Sequence, residues 1–153
     1  NGSDQLAGRE YKAKNTGFKS DSKQVIFSTD ISDAYPKEAG IKKWERSYRL
    51  DRGKQFVIKD VYQFNKTPDN TTTLNFITYC KISQNSPGSL LLQGENFILE
   101  MKYDSKALAP EIEFIEVTDG GLKRYWPNGV TRIVFTLKTP NTGGENSITV
   151  AKK

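Results

Sequence analysis

The stretch WERSYRLDRGKQFVIKDVYQF, residues 44–64, decides the fold because it contains two strands and the turn between them. Every second side chain in each half is apolar or aromatic, apart from one arginine in the first half and one aspartate in the second. This period of two is typical of antiparallel strands with one buried face. The residues between Leu50 and Phe56 include Gly53, which tolerates the positive φ of a hairpin connection.

The same stretch predicts its own pairing register. A slip of one residue would turn the apolar set of one strand away from that of its partner. The favoured register therefore pairs Leu50 with Phe56, Tyr48 with Ile58, Arg46 with Asp60, and Trp44 with Tyr62.

Two interpretations of the Arg46–Asp60 pair are open. It is either a structural ion pair that holds the register, or a ligand site flanked by Trp44 and Tyr48 in which Arg46 binds a carboxylate or sulfate. We favour the structural pair, because Asp60 already occupies the guanidinium.

The rest of the chain repeats this pattern at short intervals. Further strands are predicted at residues 11–18, 24–29, 72–80, 90–93, 96–103, 112–117, 131–137 and 147–150, separated by Gly-, Pro- and Asn-rich turns. Helix is predicted only as one or two short turns, around residues 31–35 and 105–108. We therefore expect an all-β fold, a two-sheet antiparallel β-sandwich of about 8–10 strands.

Residues 1–153 are predicted to form a single domain, with residues 1–8 as the tail of an upstream segment.

Composition narrows the possible functions. The net charge is +5, from 23 Lys and Arg against 18 Asp and Glu, but the basic residues are scattered among acidic ones. Nucleic-acid binders concentrate such charge on one face, so we expect no nucleic-acid partner. No apolar run approaches the roughly 18 residues that span a bilayer, so no membrane span is predicted.

The chain contains no histidine. It therefore lacks the commonest general base near neutral pH and the commonest metal ligand, and Ser-His-Asp or Cys-His catalysis is excluded. Cys80 is the only cysteine, and its place in an apolar strand predicts an inert buried thiol. We expect no catalytic residue, no metal and no cofactor in this chain.

Three segments resemble heparinase II/III-like polysaccharide lyases. The sequence DISDAYPKEAGI, residues 30–41, running into WERSYRLDR, residues 44–52, is similar to a "DAYP-x-x-AG" segment that leads into a "W-x-R" strand in the C-terminal β-domain of that family. TDGGLKRYW, residues 118–126, followed by Arg132 and Ile133, resembles its "D-x-x-L-K-x-x-W…R-I" segment. The opening NGSDQ, residues 1–5, is similar to the residues after the family's "His-Asn-Thr" strand.

This resemblance implies a C-terminal β-sandwich domain of a larger lyase. Such enzymes have an α-helical toroid upstream and cleave uronic-acid-containing polysaccharides by β-elimination. The family's catalytic Tyr and His match no position here, so the resemblance implies a non-catalytic domain that supports the upstream catalytic domains of the same polypeptide. It also implies a bacterial periplasmic or extracellular location.

An alternative is a carbohydrate-binding module that recognises an acidic polysaccharide directly. Its candidate ligand-binding residues are Trp126 and Tyr125, since sugars stack on flat aromatic faces, with Lys123 and Arg124 beside them to meet acidic groups. The competing interpretation places Trp126 in the core or at an interdomain contact, where a domain of a larger enzyme exposes an apolar patch. A third alternative is an independent adhesion or scaffold domain.

Overall fold

The computed structural model describes residues 2–69 and 71–153. Most of the stretches with a period of two are strands, as predicted. The described residues form eleven strands: β1 Lys14–Ser20, β2 Gln24–Asp30, β3 Ile41–Asp51, β4 Gln55–Phe64, β5 Thr73–Thr78, β6 Lys81–Ser86, β7 Ser89–Gln93, β8 Ile98–Tyr103, β9 Leu108–Ile115, β10 Val130–Leu137 and β11 Gly143–Lys152. The strand that the sequence did not predict is β6, an edge strand whose side chains are polar apart from Ile82.

The strands form two antiparallel sheets, which confirms the predicted fold class. The large sheet has eight strands in the order β1-β2-β3-β4-β11-β8-β7-β6, and the small sheet has three in the order β5-β10-β9. The pairing of β11 with β4 and β8 joins distant parts of the chain.

The predicted hairpin register is confirmed. Strands β3 and β4 pair with Leu50 opposite Phe56, Tyr48 opposite Ile58, Arg46 opposite Asp60 and Trp44 opposite Tyr62. Gly53 lies in the connecting turn with φ of 72°, a conformation that costs glycine little.

The core lies between the small sheet and the middle of the large one. Phe135 and Ile133 of the small sheet are fully buried, as are Leu90 and Ile148 of the large sheet. The rings of Tyr103 and Phe135 lie 4.9 Å apart across the two sheets. Cys80 is buried in this core, as the sequence predicted.

Helical structure is confined to single turns. Two 3-10 turns, Ser32–Ala34 and Lys37–Ala39, occupy the segment between β2 and β3. Residues 105–107 form a hydrogen-bonded turn and no helix, with Leu108 N donating to Asp104 O. A four-residue helix, α1, Gly120–Lys123, lies between β9 and β10, where the sequence predicted only a turn. No helix in the described residues is long and apolar enough to cross a membrane.

Candidate functional site

The loop between β9 and β10 carries the four candidate ligand-binding residues Lys123, Arg124, Tyr125 and Trp126. Asp119 fixes the start of helix α1, because its Oδ1 accepts hydrogen bonds from Gly121 N at 3.0 Å and Leu122 N at 2.9 Å. Trp126 N then donates to Leu122 O at 3.0 Å. The loop backbone is thus held by its own hydrogen bonds, and all four candidate side chains are exposed.

The structure brings two of these residues together with a third aromatic side chain. Tyr79, which follows β5, faces Tyr125 and Trp126 across a cavity of about 340 Å³ that is also lined by residues 127–129. The exposed fractions of the three aromatic side chains are 64%, 74% and 42%. We call this group of residues, Tyr79 with 125–129, the aromatic cleft. Lys123 and Arg124 precede the cleft residues in the chain and do not line the cavity.

Tyr79 was not among the site residues predicted from the sequence. The alternation of residues 72–80 turns Leu74 and Phe76 inward and leaves Tyr79 on the opposite side, so the signal for its exposure was present. That Tyr79 lies close to Trp126 could not be predicted from the sequence, because it depends on the pairing of β5 with β10. One contact steadies Tyr79: its ring lies 6.4 Å from that of Phe97, nearly perpendicular to it.

The Arg46–Asp60 pair lies on the inner face of the hairpin. Arg46 Nε donates to Asp60 Oδ1 at 2.7 Å and Arg46 Nη2 to Asp60 Oδ2 at 3.0 Å, a bidentate pair. Trp44 Nε1 also donates to Asp60 Oδ1, at 2.6 Å. The Asp60 side chain is only 2% exposed and that of Arg46 is 18% exposed.

The surroundings of Arg46 favour its charged form. Burial on its own lowers the pKa of the guanidinium, but the hydrogen bond and the negative charge of Asp60 outweigh burial and the pKa is raised. Because Asp60 compensates its charge and engages Nε and Nη2, Arg46 is a weaker partner for a ligand carboxylate or sulfate than an unpaired arginine. Trp44 and Arg46 also line a cavity of about 480 Å³ beside residues 2–5.

A second aromatic surface lies on the inner face of the large sheet. Register places on one face of β1–β4 the side chains that we call the open ribbon: Phe18, Val25, Phe27, Tyr48, Leu50 and Phe56. Phe18 is 69% exposed, Phe27 37% and Leu50 39%. The ring of Tyr48 lies 6.1 Å from those of both Phe27 and Phe56, so the aromatic residues form a continuous apolar surface.

Metal binding has no support in the described part of the chain. Within residues 2–69 and 71–153, no three His, Cys, Asp or Glu side chains come close enough together to hold a metal ion. Exposed aromatic side chains cluster in the aromatic cleft and in the open ribbon, and these are the two candidate binding surfaces.

Comparison with known proteins identifies the fold. No protein-family profile matches the chain, and no curated protein matches it in sequence. Among solved structures, it is similar to the heparan sulfate lyase HepC from Pedobacter heparinus, with a TM-score of 0.65 and 12% identity over 92% of this chain. A mutant of that lyase matches equally, with a TM-score of 0.66 and 12% identity. The chain covers 22% of either lyase chain, so its fold is that of one part of a heparinase-like lyase.

Proposed function

We propose that this chain is a non-catalytic C-terminal β-sandwich domain of a heparinase II/III-like polysaccharide lyase. It supports upstream catalytic domains that cleave uronic-acid-containing polysaccharides by β-elimination. The observation that carries this proposal is the match of 92% of the chain to only 22% of a lyase chain. On this account residues 1–153 are one domain, residues 1–8 are the end of an upstream segment, and the protein is periplasmic or extracellular.

The lack of histidine and the burial of two of the seven tyrosines remove several candidate bases for an elimination. Elimination requires a base for the proton α to the uronate carboxylate. A tyrosine is one choice where histidine is absent; Tyr62 and Tyr103 are withdrawn from substrate at 7% and 8% exposure, whereas Tyr79 and Tyr125 are exposed. Burial also raises the pKa of Tyr62, which disfavours the phenolate that such a base needs.

The open ribbon supports docking onto a neighbouring domain. Soluble proteins leave few large apolar patches exposed, and those they leave mark interaction sites. This surface is a sheet face rather than a pocket, and it consists of Phe, Leu and Val with one Tyr. We assign it to contact with the upstream domains of the same polypeptide, because the matched lyase has most of its chain outside the region that this fold covers.

Paired elimination assays test the proposal. The complete gene product and the isolated chain are incubated with heparan sulfate, chondroitin sulfate and alginate, and the ultraviolet absorbance of the unsaturated product is followed. We expect product only with the complete gene product. Product from the isolated chain overturns the non-catalytic role, and a complete gene product that cleaves none of these polymers overturns the assignment to a lyase.

A further inference from the structure

We infer that the aromatic cleft binds one sugar ring of an acidic glycan, with Trp126 and Tyr79 as its two walls. This inference goes beyond the proposed support function, and it holds or fails independently of the upstream domains.

The cleft has the size and the lining of a small-ligand site. Its volume of about 340 Å³ lies near the lower end of the range of about 300–1,000 Å³ that is usual for ligand pockets. Its walls are three exposed aromatic side chains from two different loops. The C–H face of a pyranose ring is apolar and packs on such rings, while the hydroxyl groups at its edge remain in water.

The cleft is held in shape without a ligand. Gly129 forms one end of it with φ of 77°, and a Cβ there would lie 2.6 Å from Phe114 Cζ and 2.7 Å from Ile115 O. The turn after Trp126 is therefore packed against β9, and Gly129 N donates to Trp126 O at 3.1 Å. A preformed site loses little conformational entropy when it binds.

The charges beside the cleft favour an acidic sugar. Lys123 and Arg124 immediately precede Tyr125 and are exposed, and neither forms a salt bridge with any carboxylate of residues 2–69 and 71–153. The nearby carboxylate of Asp119 is directed to the backbone of helix α1. A carboxylate or sulfate on a bound ring, or on the next ring of the chain, would meet these two cations.

Tryptophan fluorescence measures this binding directly. The chain has two tryptophans, of which Trp44 is buried and Trp126 is 42% exposed. Uronate-bearing oligosaccharides of heparan sulfate and alginate should therefore change the emission of Trp126 and protect it from acrylamide. Titrations are made at about 0.15 M salt, where unspecific attraction to a weakly basic surface is screened beyond about 8 Å.

Matched variants distinguish binding in the aromatic cleft from nonspecific attraction to the positively charged surface. We expect Trp126→Ala and Tyr79→Ala to weaken binding by roughly tenfold each, measured by calorimetry. The control Phe18→Ala removes a 69% exposed aromatic side chain of β1, outside the cleft, and should leave the affinity unchanged. Lys123→Ala should weaken binding of the acidic oligosaccharides, whereas the control Lys12→Ala should not.

Three results overturn the inference. The first is an unchanged Trp126 emission with every acidic oligosaccharide. The second is equal loss of affinity in Trp126→Ala and Phe18→Ala, and the third is equal loss in Lys123→Ala and Lys12→Ala. None of these results bears on the elimination assays. Evidence against sugar binding in the cleft is therefore distinguishable from evidence against the support function.

Discussion

The large sheet has two halves that follow the same alternation but differ in what covers them. In the closed half, β4, β11, β8 and β7 turn apolar side chains toward the small sheet, and Leu90 and Ile148 are 0% and 1% exposed. In the open half, β1, β2, the C-terminal part of β3 and the start of β4 turn the same kind of side chain inward, yet Phe18 remains 69% exposed. The small sheet has only three strands, so it covers only part of an eight-stranded partner.

The alternation of apolar and polar side chains determines which face of a strand is apolar. It does not determine whether another part of the protein covers that face. In the closed half the apolar face is used for stability. In the open half a similar face is left for contact with another surface, and on our account that surface belongs to the upstream domains. Substitutions in the two halves should therefore have very different consequences.

The largest difference is expected between Phe135→Ala and Phe18→Ala. Phe135 is fully buried, and its loss leaves a cavity against Tyr103 and Phe76, so the free energy of unfolding should fall by about 4 kcal/mol. Phe18→Ala should change it by no more than about 0.5 kcal/mol. Urea denaturation measures both values. Similar losses in the two variants would mean that the open half is covered in the isolated chain.

The next effect is expected at Asp60, where the two halves meet. Asp60→Ala leaves Arg46 and Trp44 Nε1 without their acceptor, and the buried guanidinium loses its counter-charge. We expect a loss of about 3 kcal/mol in the free energy of unfolding. Asp33→Ala is the control, since its pair with Lys14 is solvent-exposed and screened and should leave the free energy of unfolding nearly unchanged. A loss at Asp60 no greater than that at Asp33 would refute a structural role for the pair.

Asp30 provides a pH-dependent contribution at the end of β2. Burial alone raises the pKa of its carboxyl, but hydrogen bonds from Ser32 N at 3.0 Å and Trp44 N at 3.4 Å outweigh burial, and the pKa is lowered. Because the folded pKa lies below the unfolded value, this stability is present above the unfolded pKa and is lost as pH falls through the folded pKa.

The variant Asp30→Asn isolates that contribution. It should be less stable than the natural chain by about 1 kcal/mol at neutral pH, and the difference should shrink as pH falls below about 4. Urea denaturation at a series of pH values checks this, with Asp33→Asn as the exposed control. A difference that stays constant down to strongly acidic pH would show that the Asp30 charge contributes nothing.

A small effect on stability is also expected for Phe27, inside the open ribbon. Phe27→Ser should change the free energy of unfolding by about 1 kcal/mol or less, because more than a third of the Phe27 side chain is already in solvent. It should nevertheless reduce the fluorescence of a dye that binds exposed apolar surfaces. Ile77→Ser, an exposed apolar residue on the outer face of the small sheet, is the control. Unchanged dye binding in Phe27→Ser would contradict a continuous apolar surface.

The local parts of this fold were predictable from the sequence. The register of β3 and β4 follows from the period of two and from Gly53, and that register is enough to place Arg46 opposite Asp60. Strand β6 was missed because an edge strand needs no apolar alternation. Helix α1 was missed because four residues carry no helical periodicity.

The arrangement of the sheets and of the site was not predictable in this way. Trp126 and Tyr125 were recognised as exposed aromatics, but Tyr79 joins them only through the pairing of β5 with β10. The exposure of Phe18 and Phe27 likewise depends on the order of strands in the large sheet. Both are properties of long-range pairing, which a period of two does not encode.

The central claim is that the open ribbon docks onto the upstream domains, and hydroxyl-radical footprinting tests it most directly. Oxidation of Phe18, Phe27 and Phe56 is compared between the isolated chain and the complete gene product, with the exposed Phe114 as an internal reference. Our account predicts that the ribbon residues are oxidised in the isolated chain and protected in the complete gene product, while Phe114 is oxidised equally in both. Equal oxidation of the ribbon in both proteins would contradict it.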